Sequence, residues 1–161
     1  RSRRRYPPPP MRLADLFPFG SDKVMPLLAD AIVAVEDGRY QQAIDLVQRV
    51  MRELPPDLVA AVTVFPVRQP RTICEYVLGR ARLGLGDAGA AARHFQFVAD
   101  GEFWRLATPI EYVRSFYYLG QIAEKNGDTA KAREHYNRFL SYWGDGDIDR
   151  DKVAEAIRKT R

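Results

Sequence analysis

The sequence is poor in the residues from which disulfide-bonded and metal-binding proteins are built. Its 161 residues include one cysteine, Cys74, and two histidines, His94 and His135. A single cysteine excludes an internal disulfide framework. Neither histidine has a cysteine or a second histidine nearby at a spacing that suits a shared metal ion. The sequence therefore predicts no metal site.

Long apolar runs are also lacking. No stretch approaches the ~18 consecutive apolar residues of a membrane-spanning helix. No short apolar stretch precedes a small-residue cleavage site, as it would in a signal peptide. The sequence begins with Arg1 rather than methionine, and we expect the chain to be a processed or trimmed piece of a longer protein. The sequence leaves the cellular compartment of the protein undetermined.

Net charge is lacking from most of the chain. The 25 basic residues exceed the 21 acidic ones by four, and four basic residues lie within the first five positions. The rest therefore balances at 21 against 21, which does not favour a nucleic-acid partner. Only the basic arm suits contact with phosphate or anionic lipid, and such a run is also typical of a solvated leader.

Motifs of catalysis and cofactor binding are missing as well. A G-x-G-x-x-G string lies at residues 84–89 but follows a helical pattern, whereas a dinucleotide site follows a strand. The aspartates of residues 145–151 alternate as in a calcium loop, but Arg150 and Ala156 replace its essential glycine and glutamate. The sequence therefore predicts no catalytic residue, no cofactor and no metal.

A repeated unit is what the sequence does contain. Each copy has a glycine, an alanine five residues later and a larger side chain four residues after that. The glycine is expected to end one helix, the alanine to let the next helix approach, and the larger residue to fill the gap. The three copies are Gly38, Ala43 and Val47; Gly86, Ala91 and Phe95; Gly127, Ala132 and Tyr136.

This unit resembles the tetratricopeptide repeat. In the third copy, Phe116, Leu119, Gly120 and Ala123 precede the turn at that family's offsets. The resemblance implies an all-α solenoid of helical hairpins with repeats at about 24–57, 72–105 and 113–146. A capping helix is expected at about 149–161. Insertions are expected near 56–71 and 101–108, because the copies are more widely spaced than in the family.

Two segments precede this predicted domain of residues 24–161. Residues 1–10 are basic and then contain four consecutive prolines, which favour an extended arm or linker. Residues 11–23 form a lead-in segment.

At the other end, residues 118–147 resemble repeats at the C-termini of bacterial multidomain proteins, including serine/threonine kinases and winged-helix regulators. The resemblance implies a place in a larger bacterial protein, although the sequence contains no kinase motif.

The resemblance also implies a groove in which the first helix of each hairpin contacts a protein or peptide partner. Chaperone-binding members of the family hold a terminal carboxylate there with a basic clamp. We do not expect that ligand, because Leu28, Ile32, Tyr76 and Tyr117 occupy the corresponding places. The candidate groove residues are Leu28, Ile32, Tyr76, Arg80, Arg114, Tyr117 and Gln121. Equally open is that Leu28, Ile32 and Val35 pack against residues 11–19.

Two functions follow from this sequence. The first is a non-enzymatic interaction module that binds a protein or peptide in the groove. The alternative is a structural subunit that self-associates, or docks in a large complex, through its arm and insertions. The candidate assembly contacts are Arg3, Arg4, Arg5, Tyr6, Val64, Phe65 and Trp104.

Overall fold

The chain folds into helices alone over the residues that the structure describes. The structure is a computed structural model, and it describes residues 21–54, 70–101 and 104–161. No strand occurs in these ranges, so the predicted all-α fold class is confirmed. In chain order the helices are α1 (Ser21–Glu36), α2 (Tyr40–Glu53), α3 (Pro70–Gly84), α4 (Ala88–Asp100), α5 (Trp104–Ala107), α6 (Pro109–Lys125), α7 (Thr129–Trp143) and α8 (Arg150–Thr160).

Three tight turns fold six of these helices into hairpins, and each turn contains one of the predicted glycines. Gly38, Gly86 and Gly127 have φ angles of 75°, 83° and 79°, in the left-handed region that side chains disfavour. Asp87 and Asp128 then cap α4 and α7, where each carboxylate accepts a hydrogen bond from a backbone N–H in the first turn. The turn residues therefore end one helix and start the next.

Within the second and third hairpins the helices approach so closely that one position has no room for a side chain. A Cβ atom on Gly79 would lie 2.7 Å from the ring of Phe95, and one on Gly120 would lie 2.7 Å from the ring of Tyr136. Both rings are fully buried. The larger residue of the repeated unit thus packs directly on the backbone of the preceding helix.

The hairpins pack side by side in chain order. Helix α2 contacts α3, α4 contacts α6, and α7 contacts α8, while the first helices α1, α3 and α6 also contact one another in sequence. Two apolar clusters result. The first joins α1, α2 and one face of α3, and the second joins the other face of α3 to the helices that follow. Helix α3 therefore belongs to both clusters.

The predicted boundaries can be compared with the helices only in part. Most of the first expected insertion lies outside the described residues, and the second contains the short helix α5. A turn separates α7 from α8, which occupies the range expected for the capping helix. The division into repeats stays a prediction.

The glycine contacts can be tested with a matched pair of substitutions. Gly79→Ala places a methyl group against the buried ring of Phe95, whereas Gly89→Ala, also within a helix, meets only a distant carboxylate oxygen of Asp87. Both variants gain helix propensity. We expect the free energy of unfolding of Gly79→Ala to be about 1–3 kcal/mol lower than that of Gly89→Ala, because overpacking displaces the ring. Urea denaturation measures the difference, and equal stabilities would contradict the contact.

Candidate partner-binding face

Six of the seven predicted groove residues form two sets that occupy equivalent places in the three hairpins, and Arg114 belongs to neither set. Leu28, Tyr76 and Tyr117 lie ten positions before the turn glycine of their hairpin, and all three are buried. Six positions before that glycine lie three half-buried side chains, those of Ile32, Arg80 and Gln121. The second set and Arg114, which is half-buried as well, are therefore the partly exposed members of the predicted groove.

The first helices lie next to one another and run in the same direction. Three polar contacts join α6 to α8, and their order along both helices is the same. They are Arg114 with Asp149, Tyr117 with Glu155, and Glu124 with Lys159. Side chains of α8 and of Asp149 just before it thus reach α6 in parallel order.

An aromatic and ionic seam joins α1, α3 and α6. Arg80 on α3 donates a hydrogen bond of 2.9 Å to Glu36 on α1, and its guanidinium lies 5.2 Å from the ring centre of Tyr118 on α6. The rings of Tyr76 and Tyr118 are 6.2 Å apart. One arginine therefore connects three successive first helices.

Arg114 and Asp149 form an ion pair on this face that is held by two hydrogen bonds. The guanidinium donates two hydrogen bonds, of 2.7 and 3.0 Å, to the two carboxylate oxygens, and Lys152 donates a third of 3.0 Å. The Asp149 side chain is only 7% exposed. Burial would raise the pKa of this carboxyl, but the hydrogen bonds from Arg114 and Lys152 outweigh it and hold the pKa below its usual value.

We call Glu36, Arg80, Arg114 and Asp149 the polar belt. The belt contains two positive and two negative charges, and each arginine is paired with a carboxylate from a neighbouring element. Its net charge is zero. An acidic partner would therefore compete with carboxylates that are already in place.

Tyr117 and Gln121 are engaged by the chain itself. The Tyr117 hydroxyl donates a 2.6 Å hydrogen bond to Glu155 and accepts one of 2.9 Å from the Gln121 amide. Burial, together with this carboxylate, raises the pKa of Tyr117, so the phenol stays protonated. Helix α8 thus fixes the C-terminal end of the face.

Tyr76 differs, because its buried hydroxyl has no hydrogen-bond partner among the described residues. Burial raises its pKa, and the nearby guanidinium groups of Arg80 and Arg114 oppose that rise only in part. Its ring packs edge-on against Phe95. Tyr76 therefore contributes chiefly to the packing beneath the face.

The carboxylates of the belt were not found from the sequence. Glu36 pairs with a residue 44 positions away, and Asp149 with one 35 positions away, so no local pattern connects them. Only the register of neighbouring hairpins brings them together. The groove assignment itself stays a prediction.

The candidate assembly contacts lie almost wholly outside the described residues. Trp104 is the first residue of α5, but its side chain is among those that are not described. The other six candidate contacts lie outside the described residues, and they are Arg3, Arg4, Arg5, Tyr6, Val64 and Phe65. The predicted assembly contacts are therefore not tested by the described helices.

Reactive groups are few in the described part of the chain. No cluster there of three or more histidine, cysteine, aspartate or glutamate side chains could hold a metal ion. Within the same ranges, no helix has the length and apolarity needed to cross a membrane. Cys74 is buried, and this burial, with the neighbouring Glu75, raises the pKa of its thiol to about 12. The thiol is therefore protonated and unreactive.

Comparisons with known proteins add no assignment to this geometry. No family model matches the chain, no curated protein matches it, and no solved structure matches it. The face is therefore interpreted from its own residues.

The Asp149 ion pair predicts a pH-dependent stability. A carboxyl whose pKa is lowered by folding stabilises the fold above its unfolded pKa of about 3.9, and this stabilisation is lost as the pH falls through the folded value. Asp149→Asn removes the charge, while asparagine tolerates the positive φ of 53° at this position. We expect a loss of about 1.5–3 kcal/mol at pH 7, because hydrogen bonds to a charged group are broken.

The stability difference between wild type and Asp149→Asn should shrink as the pH falls below about 4. Asp151→Asn is the control, because that side chain is 82% exposed and its nearest cation, Lys152, is 3.9 Å away. Denaturation series from pH 7 to pH 2 measure both variants. A constant difference across this range would contradict the ion pair.

Proposed function

We propose that this chain is a tetratricopeptide-type interaction module within a larger bacterial protein. It comprises three helical hairpins and a capping helix, and it binds a protein or peptide without catalysis. The glycine–aromatic contacts of the second and third hairpins support this proposal, as do the side-by-side hairpins and the parallel first helices. Such repeats stack into a solenoid whose first helices line one continuous side.

One observation carries the functional part of the proposal. Ile32, Arg80 and Gln121 occupy the same position in three neighbouring first helices, and all three side chains are half-buried. They offer an apolar group, a cation and an amide in succession. An extended segment that crosses the helices meets a different chemical group at each step, which provides a basis for sequence-specific recognition.

The surrounding residues support these three. Leu28, Tyr76 and Tyr117, one turn earlier in each first helix, are buried, so the recognition side chains project from a packed part of each helix. Arg80 is held from one side by Glu36 and lies over the ring of Tyr118 on the other. A fixed arginine loses little conformational freedom when it binds a partner, which favours affinity.

Peptide selection tests the proposed function. A random-peptide display library is selected against the full chain, and the enriched peptides are then measured with purified variants. We expect the double substitution Ile32→Asp and Arg80→Ala to weaken their binding at least tenfold, because both central contacts are removed. Arg133→Ala, an exposed arginine on α7, is the matched control and should bind normally.

Peptides that bind both variants as well as wild type would overturn the assignment of this face. Failure to enrich any peptide would count against a peptide-binding module. Circular dichroism of the double variant checks that it remains folded, as expected for side chains that are not fully buried.

The alternative, a self-assembling subunit, is supported by a separate observation. Leu106, two residues after Trp104, is 67% exposed, and Ile110 nearby is also exposed. Exposed apolar groups of this kind commonly mark contacts between chains. The alternative therefore places an assembly contact at α5.

Light scattering over a wide concentration range separates the two proposals. The interaction module predicts a monomer both for the full chain and for a chain that lacks residues 1–10. The assembly subunit predicts oligomers that dissociate when the arm is deleted or when Leu106→Glu places a charge in the contact. Oligomers that neither change affects would contradict both assignments.

A further inference from the structure

Helix α1 presents an apolar stripe that no described residue covers. Met25 and Val33 are 44% and 53% exposed, and Ala29, one turn from each, is exposed as well. Residues four apart share one face of a helix, so the three form a single line. We call Met25, Ala29 and Val33 the α1 stripe.

The equivalent positions of the next hairpin are buried. Counted back from the turn glycine, Met25, Ala29 and Val33 correspond to Ile73, Val77 and Ala81 of α3. These three α3 residues are at most 2% exposed, and they belong to the apolar cluster that α3 shares with α1 and α2. This line of a first helix is therefore the one that packs against the preceding hairpin.

The third hairpin repeats the arrangement at two of the three positions, and the half-buried Arg114 corresponds to Met25. Tyr118 and Ile122 of α6 correspond to Ala29 and Val33, and both are buried. Tyr118 packs against Tyr76 of the preceding first helix. The α1 stripe is thus a stacking surface without the element that stacks on it.

The C-terminal helix α8 of a second copy of the chain would fit the α1 stripe poorly. The outward residues of α8 include Asp151, Ala154 and Arg158, all exposed. Charged groups of this kind lose hydration against an apolar stripe without gaining partners. The C-terminal end therefore does not complement the α1 stripe.

Residues 11–19 have the composition that the stripe requires. Their sequence, MRLADLFPF, contains five large apolar side chains, and it leads through Gly20 directly to the first residue of α1. The stripe spans about 12 Å at 1.5 Å per helical residue, a length that nine residues cover in any ordinary conformation. A tethered segment also has an effective concentration in the millimolar range.

We propose that residues 11–19 dock on the α1 stripe and take the place of a preceding hairpin. The segment then closes the N-terminal end of the stack, as α8 closes the other end. This interaction differs from packing against Leu28 and Val35, which already lie within the first apolar cluster. It is independent of any partner bound at Ile32 and Arg80.

Engineered disulfides in the full chain test the proposal. Leu16→Cys is combined with Ala29→Cys on the stripe, or with Gln48→Cys on the exposed surface of α2 as the matched control. A disulfide requires Cα atoms within about 7 Å. We expect the stripe pair to oxidise within one chain at least tenfold faster than the control pair. Native Cys74 is buried and does not compete.

Equal oxidation rates for the two pairs would overturn the proposal. A chain with Ala29→Cys alone that forms concentration-dependent dimers at low micromolar concentration would also overturn it, because a second copy would then cover the stripe.

Hydrogen exchange provides an independent measurement. Amides of residues 11–19 should be protected in the native chain and lose that protection in Val33→Asp, which alters only an exposed side chain. Absence of protection in the native chain would contradict docking.

Discussion

The contact of an aromatic ring with a bare glycine backbone is the interaction on which the rest of the structure depends. Phe95 lies on Gly79, and Tyr136 lies on Gly120, so the two helices of the second and of the third hairpin approach more closely than any side chain would allow. This spacing sets the position of α4 relative to α3 and of α7 relative to α6. Phe95 then stacks on Tyr118 of the next hairpin, with ring centres 4.9 Å apart, and so transmits the spacing along the chain.

The polar belt depends on that spacing. Arg80 reaches both Glu36 and the ring of Tyr118 only because α1, α3 and α6 lie side by side. Arg114 likewise reaches Asp149 because α8 lies where a further first helix would. The belt therefore reports the register of the hairpins, and its positive and negative charges balance.

Local features of the fold could be predicted from the sequence, whereas contacts between hairpins could not. Glycine, alanine and a larger residue at fixed offsets indicate each turn, because only glycine has ready access to a positive φ and only small residues permit close helices. The same register gives the equivalent positions of Tyr76 and Tyr117. Their burial follows from neighbouring first helices, and the partners of the belt are 35 to 44 residues apart, so no local pattern reveals them.

The central claim is that the first helices lie side by side, in parallel and in this register. Nuclear Overhauser effects in the full chain measure it most directly. The account predicts contacts between the rings of Tyr76 and Tyr118, and between Tyr117 and the side chain of Glu155. Hairpin contacts such as Phe95 with Gly79, observed without these contacts between first helices, would contradict it.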